Sequence, residues 1–181
     1  MNLTELRDLY RHMEWADALV WRAVHSSAEA AKDARLRELL YHVPLVQWAW
    51  LRAWRSEPPD MTFPTFTELS ELMLWGRSYY HEIFSHLENL TADGISKTMK
   101  LPWAEIVERE LGRQPESISI GETMLQIPLH SQYHRGQINA RLRTVGGVPP
   151  RVDYIVWVWL GRPQADWDSG THASGVLVPV S

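Results

Sequence analysis

Four long stretches of this chain carry apolar residues at alternating three- and four-residue intervals, and this period restricts the fold more than any other feature. Residues three or four apart share one face of an α-helix, whereas a half-buried strand needs alternation by two. The first stretch runs from Leu3 to about Val24, with Leu6, Leu9, Tyr10, Met13, Ala16, Leu19 and Val20 on its apolar side. The second follows Asp33, a natural N-cap, and carries Leu36, Leu39, Leu40, Val43, Val46, Ala49 and Trp50 before Glu57-Pro58-Pro59-Asp60 stops it. A third, from about Thr67 to Leu90, presents Leu69, Leu72, Met73, Gly76, Tyr80, Ile83, Phe84 and Leu87. The fourth opens on the capping box Ser119-Ile120-Gly121-Glu122 and ends near Val145, ahead of Gly146-Gly147 and Pro149-Pro150.

The connections are less regular. Ser26, Ser27 and the small residues after them read as a link. Pro44 and Pro128 lie inside the second and fourth helices; a proline there frees a carbonyl one turn earlier and predicts a bend, near Leu40 in the first case. Between Gly94 and Gly121, Ile95–Leu101 and Ser117–Ile120 are candidates for a short hairpin, and Trp103–Leu111 has helical composition. Asp153–Leu160 is short and apolar, a docked helical turn or a strand, and Gly170–Ser181 is expected to be a loosely held or interface-forming tail. Together these predict an all-α protein: a four-helix bundle with a long connection between the third and fourth helices and a short C-terminal extension. One domain is expected over residues 1–181, with a core at about 3–160 and a tail at about 161–181.

Composition excludes several classes of function. The net charge of −4 is spread over mixed acidic and basic residues, unlike the concentrated basic face of a nucleic-acid binder. With no Cys there is no disulfide framework, no thiolate ligand and no nucleophilic thiol. The N-terminal residues are acidic and lack the apolar core of a secretory signal, and no apolar run is long enough to span a membrane, so a cytoplasmic location is expected. Ten Trp residues predict a core or a subunit interface rich in aromatic surface.

The chemistry concentrates in Leu129-His130-Ser131-Gln132-Tyr133-His134-Arg135-Gly136-Gln137. His130 and His134 are one helical turn apart, so their imidazoles stand on the same face and can bind one transition-metal ion. A pair is under-coordinated, and His42, among Leu39, Leu40 and Val43, is the candidate third ligand if the second and fourth helices are neighbours. A histidine on an apolar face is more often a satisfied core residue than a ligand, but a buried imidazole still needs partners for both nitrogens. Gln137, three residues after His134, and Arg135 are candidates to support the ligands, Arg135 more naturally through an ion pair. His12 is a third candidate for support. His81 and His86 diverge around the third helix and are expected to face solvent; His25 sits at a helix end and His172 in the tail. Gly136 either allows tight helix packing or leaves room for a ligand.

The pattern His130-Ser131-Gln132-Tyr133-His134-Arg135-Gly136-Gln137 resembles the DinB/YfiT-like family of bacterial four-helix-bundle proteins. His42 followed by Trp48 and Trp50, the pair Trp15-Ala16, and the exit Gly146-Gly147-Val148-Pro149-Pro150 before Asp153-Tyr154 are similar to that family as well. The resemblance covers about residues 5–155. It implies a homodimeric bundle in which His42, His130 and His134 ligate a divalent ion such as Zn or Ni. It further implies a range of functions, among them isomerases and S-transferases that use a low-molecular-weight thiol. The segment Trp103–Gln114 and the Trp-rich end from Trp157 depart from the family's compact pattern.

Two functions follow as expectations. In the first, the metal activates a thiol or water for transfer to, or hydrolysis of, a small electrophile; without Cys, the thiol must come from a small molecule. No general base stands out. Glu14 and Asp17 are candidates, although charged residues of amphipathic helices usually face water, and Arg52, Arg135 and Arg141 are candidate cations for an anionic thiol. In the second, the protein is a non-catalytic, stress-associated metal-binding homodimer stabilised by its ion.

Overall fold

A computed structural model describes residues 2–58 and 62–168. The described chain is all-α apart from one two-stranded ribbon. Helix α1 spans Leu3–His25, and Asn2 and Glu5 cap it reciprocally. The supposed link after it holds a short helix, α2 (Ala28–Lys32), because Ser27 caps the strong helix formers that follow. Helix α3 spans Ala34–Trp54, with Asp33 accepting from the Leu36 amide at 2.9 Å as its N-cap. Helix α4 spans Leu69–Glu88.

The irregular region contains α5 (Ala92–Ser96), β1 (Thr98–Met99), α6 (Ala104–Leu111) and β2 (Ile118–Ser119). The strands pair antiparallel, Thr98 opposite Ser119 and Met99 opposite Ile118, so the hairpin exists in shortened form with a helix inside its loop. Gly112 ends α6 in a left-handed conformation (φ 67°), where a side chain would be strained. Helix α7 then runs from Ile120 to Thr144 from the predicted capping box. Asp153–Leu160 proves helical, as α8 (Tyr154–Trp159). The predicted tail from Gly170 lies outside the described residues.

The four long helices surround one core. Helix α7 packs on α1 and α3, α3 packs on α4, and α4 meets α1 more loosely. Helices α3 and α7 are therefore neighbours, as a three-histidine site requires. Leu6, Met13, Leu36, Leu51, Ile83 and Leu142 are among the fully buried apolar residues. Trp15, Trp21, Trp54, Trp157 and Trp167 are buried too, so half of the ten tryptophans serve the core, while Trp159 stays 75% exposed. Trp167 reaches back from beyond α8, its indole donating to Glu14 at 3.2 Å and its ring lying against Tyr80.

Pro128 costs α7 the hydrogen bond that would close on the Met124 carbonyl. Tyr10 replaces it: its buried hydroxyl donates to that oxygen at 2.9 Å and ties α1 to α7 nearly two turns before the histidine pair. No helix among the described residues is long and apolar enough to cross a membrane.

Candidate metal centre

His130 and His134 project from one face of α7 toward α3, which supplies His42. The ring centroids are 4.4 Å apart for His130 and His134, 4.5 Å for His42 and His134, and 5.2 Å for His42 and His130. One nitrogen from each ring lies within 4.8 Å of the others, so the group can hold a metal ion. The closest approach, Nε2 of His130 to Nε2 of His134, is 3.1 Å. Zn–N bonds of roughly 2.0–2.1 Å in a tetrahedron put neighbouring nitrogens about 3.3 Å apart, so this pair needs a shift of only a few tenths of an ångström.

Electrostatics keep the cluster ready for a cation. Burial, reinforced by the neighbouring His134 and His42, holds the His130 imidazole down to about 4, and burial with His134 and Arg35 lowers His42. At neutral pH these two rings are uncharged and offer lone pairs rather than protons. Gln137 Oε1 stands 3.0 Å from His134 Nδ1. An amide oxygen there accepts from an Nδ1–H, which leaves the Nε2 lone pair turned toward His130.

The remaining candidates are more scattered. Arg135 does not touch the imidazoles; it is buried, donating to Asp17 Oδ1 at 2.7 Å and to Gln132 Oε1 at 2.9 Å. His12 is engaged elsewhere, with Nε2 2.9 Å from the Val152 carbonyl and its ring among Trp15, Tyr154 and Trp157. It holds α1 to the segment that enters α8. Arg141 is paired with Asp33 at 2.6 Å and Arg52 lies over the Phe63 ring. Gly136 meets no neighbour within 4 Å of a built Cβ and is exposed, so tight packing within the chain is not its role. His81 is exposed, as expected, but His86 is partly buried and stacked on Trp54.

The expectation that Glu14 and Asp17 face water is overturned. Glu14 receives the Trp167 indole, and its partly buried carboxyl is raised above the ordinary range by desolvation. Asp17 is buried and joins all four long helices. Its Oδ2 accepts from Tyr80 of α4 at 2.5 Å and from Gln47 of α3 at 3.1 Å, and its Oδ1 pairs with Arg135 of α7. Gln47 also donates to Ser131 of α7 at 3.2 Å. A cavity of about 10 Å³ borders Asp17, Gln47, Tyr80 and Arg135, room for at most one water.

A sequence signal for this network exists. Asp17 falls in register with Met13, Val20 and Trp21, Gln47 with Val43 and Leu51, and Ser131 and Arg135 with Ile127 and Ile138, all buried positions. Polar residues on the apolar stripe of a helix mark an internal hydrogen-bond network. No protein-family model matches the chain, and no curated protein matches it either.

Proposed function

We propose that the protein is a DinB/YfiT-like metalloprotein in which His42, His130 and His134 hold a divalent ion, zinc or nickel, for thiol transfer to, or hydrolysis of, a small electrophilic molecule. The observation that carries this reading is the convergence of three imidazoles from two helices within 4.8 Å. The donor set fits the ion: three imidazole nitrogens suit zinc and nickel and leave a coordination position for a reactant. When bound, the ion supplies Lewis acidity, lowering the pKa of a coordinated thiol or water and polarising the acceptor. The chain's own part is to keep His130 and His42 neutral by burial and to fix the His134 tautomer through Gln137. All three histidines are partly exposed, which supports access from solvent. Since the chain has no Cys, the thiol belongs to a low-molecular-weight co-substrate.

A second reading, a non-catalytic metal-binding homodimer, is favoured by a different observation. Leu129 and Tyr133 are 59% and 66% exposed, and with Gly136 they follow one line along the outer face of α7. Elemental analysis of the purified protein and of His134→Ala tests the ligand assignment. Stoichiometric metal in the wild type and little in the variant is expected; equal loading of both refutes it. A transfer assay with several bacterial thiols and a small electrophile then separates the readings. Metal-dependent turnover supports the enzyme, and a uniformly negative screen on metal-loaded protein supports the second.

A further inference from the structure

We infer that the buried Asp17 carboxylate, with Arg135, Gln47 and Tyr80, is a positioning device that sets how tightly the three-histidine site holds its ion. This inference rests on the metal-binding reading above. Asp17 is no ligand, because both its oxygens are already engaged: Oδ1 by Arg135 at 2.7 Å, Oδ2 by Tyr80 at 2.5 Å and by Gln47 at 3.1 Å. Two members of the network sit next to the ligands in the chain. Ser131 follows His130 and Arg135 follows His134, each turned by one residue from the ligand face into the core, where their exposures are 0% and 2%. Gln47 lies five residues after His42 and joins Ser131 at 3.2 Å to Asp17 at 3.1 Å. The contacts that pin α7 to α3 therefore involve residues on the same stretches of the two helices as the imidazoles.

The site needs such a pin. Metal–nitrogen distances tolerate only about 0.2 Å, so sliding α3 along α7 by a fraction of a residue would remove His42 from the coordination sphere. Apolar packing alone tolerates small slips, whereas a charged, hydrogen-bonded hub has one satisfied arrangement. Helix α3 also carries Pro44 two residues after His42, and Pro44 leaves the Leu40 carbonyl without its helical donor. The helix thus lacks one of its backbone hydrogen bonds close to the third ligand.

The test separates positioning from folding. Replacing a buried ion pair by apolar residues of similar size is commonly neutral or stabilising, so Asp17→Leu/Arg135→Met should keep the helical fold. Gln47 and Tyr80, 3.4 Å apart in the wild type, can still serve as each other's partners in that variant. Zinc affinity is measured by competition with a chromophoric chelator, and cobalt(II) absorption reports the coordination geometry. Circular dichroism and the melting temperature of the metal-free protein report the fold. The double variant should retain its helicity and metal-free melting temperature while its zinc Kd rises about ten- to hundredfold, with a weaker cobalt band. Gln47→Met, which cuts only the α3 link, should move the Kd in the same direction, and it decides the matter if the double variant does not fold. A folded variant with wild-type Kd and an unchanged cobalt band overturns the positioning role and leaves the metal site standing. Failure of the wild type itself to bind zinc overturns both.

Discussion

His134→Ala should abolish the coupling between metal and stability, and the structure sets the size of the effect. The His130–His134 nitrogens are already 3.1 Å apart against the roughly 3.3 Å of a tetrahedral edge, so the folded protein changes little on binding. The unfolded chain has no such site, and binding energy therefore appears as folding energy. With free zinc at one hundred times its Kd the gain is about 2.7 kcal/mol. For a chain of this length each kcal/mol moves the melting temperature by roughly 2–4 °C, so the wild type should melt about 5–11 °C higher with zinc than with a chelator. Losing His134 leaves His42 and His130 alone, and the zinc-dependent shift should fall below about 1 °C. Differential scanning calorimetry with and without chelator makes the comparison. A full shift persisting in His134→Ala would show that the stabilising ion binds elsewhere.

Other consequences are cheaper to check. At Gly76 an added Cβ meets Pro44 at 3.6 Å and Trp21 at 3.9 Å, ordinary contacts, so Gly76→Ala should stabilise by about 0.5–1 kcal/mol in urea denaturation. Gly136→Ala, with open space around it, should stabilise an isolated chain similarly; destabilisation or loss of a dimer on sedimentation would instead place another surface against α7. Asp33→Ala removes the α3 cap and the Arg141 pair together and should cost about 1–2 kcal/mol, with Arg141→Ala costing less. For pH, the sign follows from His130, which titrates near 4 when folded against 6.5 for an ordinary histidine. The unfolded chain protonates first, so metal-free stability is complete above about pH 6.5 and declines as pH falls toward 4. Thermal melts of chelated protein at pH 7.5 and 5 should show the drop, and His130→Gln should flatten it; a melting temperature that rises on acidification would contradict the assignment.

Most of the secondary structure was legible in the chain. The three-and-four period, the Asp33 and Ser119 caps and the Gly146-Gly147 stop locate the three longest helices to within a residue or two of where the helical hydrogen bonds run. These signals are local, because capping and periodicity depend on residues within one or two turns. The hairpin was legible as a candidate only, since two residues per strand carry almost no period. Helix α2 was hidden by its small residues, which read equally well as a link.

For the site, His130 and His134 share a face on spacing alone, because a turn of helix dictates it. The sequence also nominated His42, but the pairing of α3 with α7 is a tertiary fact, and only that brings the third imidazole to the other two. The packing likewise decided that Asp17, Gln47, Ser131 and Arg135 meet in one layer, and that His12 serves the Val152 carbonyl instead. Local spacing shows which way a side chain points along its own helix. Which partner it finds depends on how neighbouring helices are rotated and shifted, and burial of the whole core sets that.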